Sequence, residues 1–173
     1  MEEHYIGVDL GGTKILAGVF GTDYHCLATE KTKTKPEEGY DAVCGRIVKT
    51  VRAAAESAGI DPAKASGVGI GAPGSISSDE SHVLFAPNLD WRDVALKADL
   101  EAQLGCPVWL GNDCNVAATG IHRLDSSLRS PFDAFVYVNR IPDKPRRAEA
   151  PRQFTGRIHG RLANQEGRVL LKL

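Results

Sequence analysis

Two stretches of this chain hold residue types at spacings that can do chemistry. The first is Asp9-Leu10-Gly11-Gly12-Thr13-Lys14, set between the apolar runs Tyr5-Ile6-Gly7-Val8 and Ile15-Leu16-Ala17-Gly18-Val19-Phe20. Two β-prone runs joined through a Gly-Gly pair predict a hairpin, because glycine enters positive φ without a Cβ clash. At its tip the backbone N–H groups of Gly11, Gly12 and Thr13 are unhindered, the Thr13 hydroxyl can donate and Lys14 adds a positive charge. Oriented amides beside a cation suit a polyphosphate. Asp9 would repel bare phosphate, so its place is beside a phosphate-bound Mg²⁺ or that ion's water shell. A plain surface hairpin with a polar tip remains the competing reading of the same residues. A Walker A loop is excluded, since Thr13-Lys14 stands where Lys then Ser or Thr is needed and a strand pattern follows instead of a helix.

The second stretch is Gly111-Asn112-Asp113, which breaks the apolar run Val108-Trp109-Leu110 into a helical pattern over residues 114–123. An Asp at the start of a helix serves either as an N-cap or as a general base that accepts the proton of an attacking hydroxyl, with Asn112 orienting that hydroxyl. Both roles stay open on the sequence. Asn88, between Pro87 and Leu89, is likewise either an ordinary turn residue or an amide able to donate to and accept from a sugar hydroxyl. Gly74 lies in a turn-dense stretch, residues 72–79, that leaves a buried strand where α/β sheets place ligands.

The elements that must position these residues follow from periodicity. A third strand is expected over residues 26–33, ended by Pro36. Val43, Ile47, Val51, Ala54 and Ala58 recur at three- and four-residue steps and predict a long amphipathic helix over residues 38–58, stopped by Gly59 and Pro62. Gly67-Val68-Gly69-Ile70-Gly71 reads as a buried strand beside the first. Leu96, Leu100 and Leu104 predict a shorter helix over residues 94–104, closed by Gly105 and Pro107. Residues 133–138 read as another strand.

A chain of 173 residues with a formal charge of −1 has room for a core and offers no electrostatic case for nucleic acid or an anionic membrane. The charge is uneven: after Val138 there are nine Lys/Arg against three Asp/Glu, so the first 138 residues carry −7 and the tail +6. That tail, interrupted by prolines and poor in aromatics, reads as loosely docked or disordered and lacks a stacking platform for nucleic acid. Cys26, Cys44, Cys106 and Cys114 form no C-x-x-C pair and read as free thiols of a reducing compartment. With no leader-like start and no apolar run of membrane-spanning length, a cytoplasmic location is expected.

Taken in order, four segments resemble the N-terminal half of the ROK family of sugar kinases and sugar-responsive repressors, which share the actin-like ATPase (ribonuclease H-like) fold. Asp9-Leu10-Gly11-Gly12-Thr13-Lys14 resembles the family's phosphate loop and Gly69-Ile70-Gly71-Ala72-Pro73-Gly74 its sugar-side loop. Ala86-Pro87-Asn88-Leu89 with Trp91 resembles the second sugar contact, and Gly111-Asn112-Asp113 through Ala117-Ala118 the catalytic turn. The pattern is most similar to bacterial glucokinases. The resemblance implies a mixed sheet with flanking helices over residues 1–138, and transfer of the γ-phosphoryl group of ATP, with Mg²⁺, to the 6-hydroxyl of a hexose such as glucose. It makes Asp113 the general base, puts Gly74, Asn88 and Asn112 at the sugar, and lays Gly11, Gly12, Thr13 and Lys14, with Asp9 nearby, against the nucleotide. Dimers are usual in the family, although much of that contact surface belongs to the other half.

The resemblance stops at Val138. There the family shows Gly-Thr-Gly-x-Gly-Gly-Gly, whereas this chain has Asn139-Arg140-Ile141-Pro142-Asp143-Lys144-Pro145. The Gly-Glu-x-Gly-His segment and the cysteine-rich zinc motif of many members are also missing. The expectation is therefore a chain without the C-terminal lobe, weak or inactive as a kinase. Its residues 139–173 are expected to be disordered or to come from a shifted reading frame. A non-catalytic sugar-binding or regulatory module is the alternative.

Overall fold

The computed structural model describes residues 3–124. The expected strand at 133–138 and the basic tail lie outside the described residues. Strands β1 (His4–Leu10), β2 (Lys14–Gly21) and β3 (Cys26–Lys33) form an antiparallel meander. Helix α1 (Tyr40–Ser57) then carries the chain across the sheet to β4 (Gly67–Ala72), which pairs parallel with β1. After α2 (Leu96–Leu104), β8 (Val108–Asn112) pairs parallel with β4, and α3 (Asp113–Leu124) leaves its end. The five-stranded order is β3-β2-β1-β4-β8.

The two faces of this sheet differ in composition because side chains alternate along each strand. Paired across the strands, Val8 stands beside Ala17 and Ile70, and Ile70 beside Leu110. These belong to one buried cluster with Val43, Ile47, Val51 and Ala54 of α1 and Leu96, Leu100 and Leu104 of α2. The periodic leucines and valines of the sequence are thus the inner faces of two helices. On the other face, Gly7 stands beside Gly18 and Gly69, and Asp9 beside Gly71, which in turn pairs with Gly111. Trp109, beside Gly69, covers Gly67 with its ring, and α3 begins over the Gly71–Gly111 pair. A Cβ on Gly111 would lie 2.7 Å from Val116 Cγ2, and one on Gly71 3.3 Å from the Asp113 Cα.

Three expectations need correction. The stretch 72–79, expected only as turns leaving the buried strand, does leave the main sheet after Ala72, but β5 (Ser75–Ile76) within it forms a second, antiparallel sheet with β6 (Val83–Ala86) and β7 (Trp91–Val94), whose strands are too short to show alternation. Because Val94 belongs to β7, the second helix begins at Leu96 instead of 94. The first helix begins at Tyr40 instead of 38, since Pro36–Glu38 forms a separate 3₁₀ turn and Gly39, at φ +86°, separates the two.

Ile47 lies at the centre of the helix–sheet contact with no exposed surface. Ile47→Ala is expected to lower unfolding free energy by about 2–5 kcal/mol in denaturant titration. Leu27→Ala, at an exposed position of β3, is expected to change it by less than about 0.5 kcal/mol.

Candidate functional site

The ends of β1, β4 and β8 bring the two chemically promising stretches to one edge of the sheet. The hairpin forms, with Leu10 paired to Ile15, but two expectations about its tip fail: neither Gly11 nor Gly12 takes a positive φ, and the Gly11 N–H is not open to a ligand because it donates to the Lys14 carbonyl at 2.9 Å and closes the turn. Thr13 and Lys14 are exposed at its tip, Gly11 and Gly12 partly covered. Gly12 lies against Asn88, with its Cβ direction only 3.3 Å from both the Asn88 Cβ and carbonyl oxygen. The small second sheet therefore has a use in the architecture, since the 3₁₀ turn Pro87–Leu89 between β6 and β7 carries Asn88 to the hairpin tip.

Gly74 has φ +92°, and a Cβ there would lie 2.0 Å from the Phe85 carbonyl oxygen, so this position needs glycine on both counts. Its own carbonyl accepts a hydrogen bond from Asn112 Nδ2 at 2.9 Å. Asn112 Oδ1 in turn accepts from the Asn115 N–H at 3.2 Å, which is the bond of an N-cap residue to the third residue of its helix. The capping duty that the sequence allowed to Asp113 thus falls to Asn112. Asp113 is the first residue of α3, and its Oδ1 accepts from the Cys114 N–H at 2.8 Å.

Asp9 and Asp113 line a common groove of about 380 Å³ that runs along the glycine face, with Gly71 between them. Burial pushes the Asp9 carboxyl above the usual carboxylate range, Lys14 pulls it back and the Asp113 charge raises it again. Each end of the site is therefore felt at Asp9. Asn88 lines a different hollow, with Tyr40 and Trp91, whose rings meet edge-to-face at 5.0 Å.

Sequence reasoning passed over Thr34, which is fully buried although polar. Its Oγ1 donates to the Gly11 carbonyl at 2.6 Å and its N–H to the Thr13 carbonyl at 3.0 Å. A Thr at a strand end looks like ordinary β-propensity, and only its closeness to Pro36 hints at a fixed turn.

Over residues 5–139 the sequence matches the profile of the ROK family. The chain belongs to the ROK family. The glucokinase of Streptomyces coelicolor is 43% identical over 120 residues, covering 68% of this chain and 35% of that protein. The xylose repressor of Caldicellulosiruptor bescii is 29% identical over 115 residues, covering 66% of this chain and 29% of the repressor. A crystal structure of a ROK family glucokinase from Streptomyces griseus, in complex with glucose and AMPPNP, superposes with a TM-score of 0.65 at 40% identity. That match covers 73% of this chain and 38% of that one. This ROK chain has the mixed α/β fold of the family's N-terminal, actin-like domain and spans about a third of the length of the curated glucokinases it matches. No helix among the described residues is long and apolar enough to cross a membrane.

The raised Asp9 carboxyl gives this ROK chain a pH signature. A group that holds its proton more tightly folded than unfolded makes stability fall as pH rises from its ordinary value, 3.8, through its raised one. Asp79, brought down to about 2 by the Ser77 and Ser81 hydroxyls, acts in the opposite sense. The comparison with Asp9→Asn isolates the first effect. In metal-free buffer, Asp9→Asn is expected to remove that part of the decline and to be the more stable protein at neutral pH, as read by denaturant titrations across the acid range.

Proposed function

We propose that this chain provides the N-terminal lobe of an ATP-dependent hexose kinase, which transfers the γ-phosphoryl group of ATP to the 6-hydroxyl of glucose or a related sugar. The observation that carries the reading is the arrangement at the β8–α3 junction. There Asp113 shares a groove with Asp9, while Asn112 ties the same junction to the Gly74 loop. Similarity to the glucose- and AMPPNP-bound S. griseus glucokinase supports the assignment of the two substrates.

In this reading the Asp113 Oδ1 is held by the Cys114 amide, and Oδ2 takes the proton of the sugar's 6-hydroxyl. As that proton leaves, the oxygen forms its bond to the γ-phosphorus. The bond from that phosphorus to the β,γ-bridging oxygen breaks, and ADP departs. Gly74, Asn88 and Asn112 orient the sugar, and Gly11 to Lys14 hold the phosphates, because phosphoryl transfer depends mainly on positioning and charge stabilisation. Mg²⁺ fits the donors at hand, since it is commonly bound by one or two carboxylates together with substrate phosphates, and Asp9 and Asp113 are two carboxylates whose mutual repulsion a cation would relieve. When bound it neutralises charge developing on the phosphate oxygens.

Similarity to the xylose repressor favours one second reading, a lobe that binds sugar without turnover. One experiment separates the two. Titration calorimetry with glucose and with Mg-AMPPNP is paired with glucose-dependent ADP release from Mg-ATP at high protein concentration. The kinase reading expects both ligands to bind, and ADP release to fall by about 10²–10⁴-fold in Asp113→Asn with glucose binding retained. Sugar binding with no ADP release in the parent chain would favour the regulatory reading. Equal ADP release by Asp113→Asn and the parent would remove Asp113 as the base.

A further inference from the structure

The hairpin tip is short and glycine-rich, and its own bond from the Gly11 N–H to the Lys14 carbonyl leaves the Gly11 and Thr13 carbonyls to be held from outside. Thr34 supplies what it lacks. A peptide unit is planar, and its C=O points opposite to the N–H of the next residue. By donating Oγ1–H to the Gly11 carbonyl, Thr34 therefore sets the direction of the Gly12 N–H. By donating its own N–H to the Thr13 carbonyl, it sets that of the Lys14 N–H. The two bonds grip the tip on either side of Gly12.

Thr34 is itself held from behind. Its carbonyl accepts from Arg46 Nη1 of α1 at 3.3 Å, Arg46 pairs with Glu38, and Lys35 Nζ reaches the same Glu38 at 2.8 Å. The Thr50 hydroxyl, also buried, donates to the Arg46 carbonyl at 2.7 Å. Between them Lys35 sits at φ +54° ahead of Pro36, a conformation that a non-glycine residue before proline keeps only when its surroundings hold it there.

We infer that Thr34 is a positioning residue for polyphosphate binding: it aims the hairpin amides at the ligand through the Gly11 and Thr13 carbonyls, with Arg46 and Glu38 bracing it from α1 and the preceding turn. The inference rests on the reading of the tip as a polyphosphate site. It calls for a hydroxyl donor at this position, since valine would fill the same space and leave the Gly11 carbonyl without its donor.

The test compares Thr34→Val and Thr34→Ser with the parent chain by calorimetry with Mg-AMPPNP and with glucose, and by amide hydrogen exchange. Thr34→Val is expected to bind Mg-AMPPNP roughly tenfold more weakly, to bind glucose unchanged, and to exchange the Gly12 and Lys14 amides faster while the rest of the sheet keeps its protection. Thr34→Ser is expected to match the parent in all three. A merely structural Thr34 would lower thermal stability and leave the nucleotide affinity of the folded protein untouched, and that result overturns the inference. Should Thr34→Val fail to fold, Arg46→Gln is expected to weaken Mg-AMPPNP binding in the same direction by a smaller factor, and no change there overturns it equally. If the parent binds no Mg-AMPPNP, the polyphosphate reading falls. The amide exchange then decides whether Thr34 orders the tip, and unaltered exchange in Thr34→Val sinks that too.

Discussion

The separation between a bare sheet face and the first turn of α3 governs the site. Gly71 and Gly111 have neighbours on α3 so near that a single added carbon would meet the Asp113 Cα at 3.3 Å or Val116 Cγ2 at 2.7 Å. Interiors are close-packed, and backbone atoms relax less readily than side-chain ends. The Asp113 carboxylate is thus located by backbone-to-backbone approach. Asp113 also accepts a short-range bond from the Cys114 N–H. Asn112 has the supporting duties, capping the helix and reaching across to the Gly74 carbonyl.

The same economy appears at the hairpin. Gly12 touches Asn88 directly, so the tip of one sheet and the turn of the other cannot shift independently. Gly74, at a φ closed to other residues, lets its loop pass within contact of the Phe85 carbonyl. The two sheets are therefore joined where the candidate site residues lie, by glycines at close approach. Elsewhere the apolar cluster of α1, α2 and the main sheet supplies ordinary burial. Stability and site geometry are carried by opposite faces of one sheet.

Which of this could be read from the sequence follows from the range of the interactions. Strands with long alternation and helices with repeated leucines or valines announced themselves, since period and burial are local properties of the chain. The limits of β3, residues 26–33, agree with expectation because Pro36 follows so soon. The second sheet was not legible, as its strands have two or four residues and its pairing joins Ser75 to Phe85 and Phe85 to Arg92 across turns. The division of labour between Asn112 and Asp113 was hidden for a related reason: both are good caps, and the choice is made by the Asn112 contact to Gly74, 38 residues away. Thr34 escaped notice because its value lies in two carbonyls that only the folded hairpin presents.

The electrostatics of Asp9 join these pieces into one argument about what the site lacks by itself. Asp9 is on β1 and Asp113 begins α3, yet the Gly71 strand between them offers no side chain to screen one carboxylate from the other. Lys14 offsets part of the repulsion from the hairpin side, and burial outweighs it, so Asp9 stays biased toward its proton. Glu80 lines the same groove, and among the described residues no three carboxylate, histidine or cysteine side chains are grouped to hold a metal. On the proposed reading Asp9 and Asp113 would hold a cation together with the phosphates that carry it, and that cation would relieve the charge that Asp113 places on Asp9.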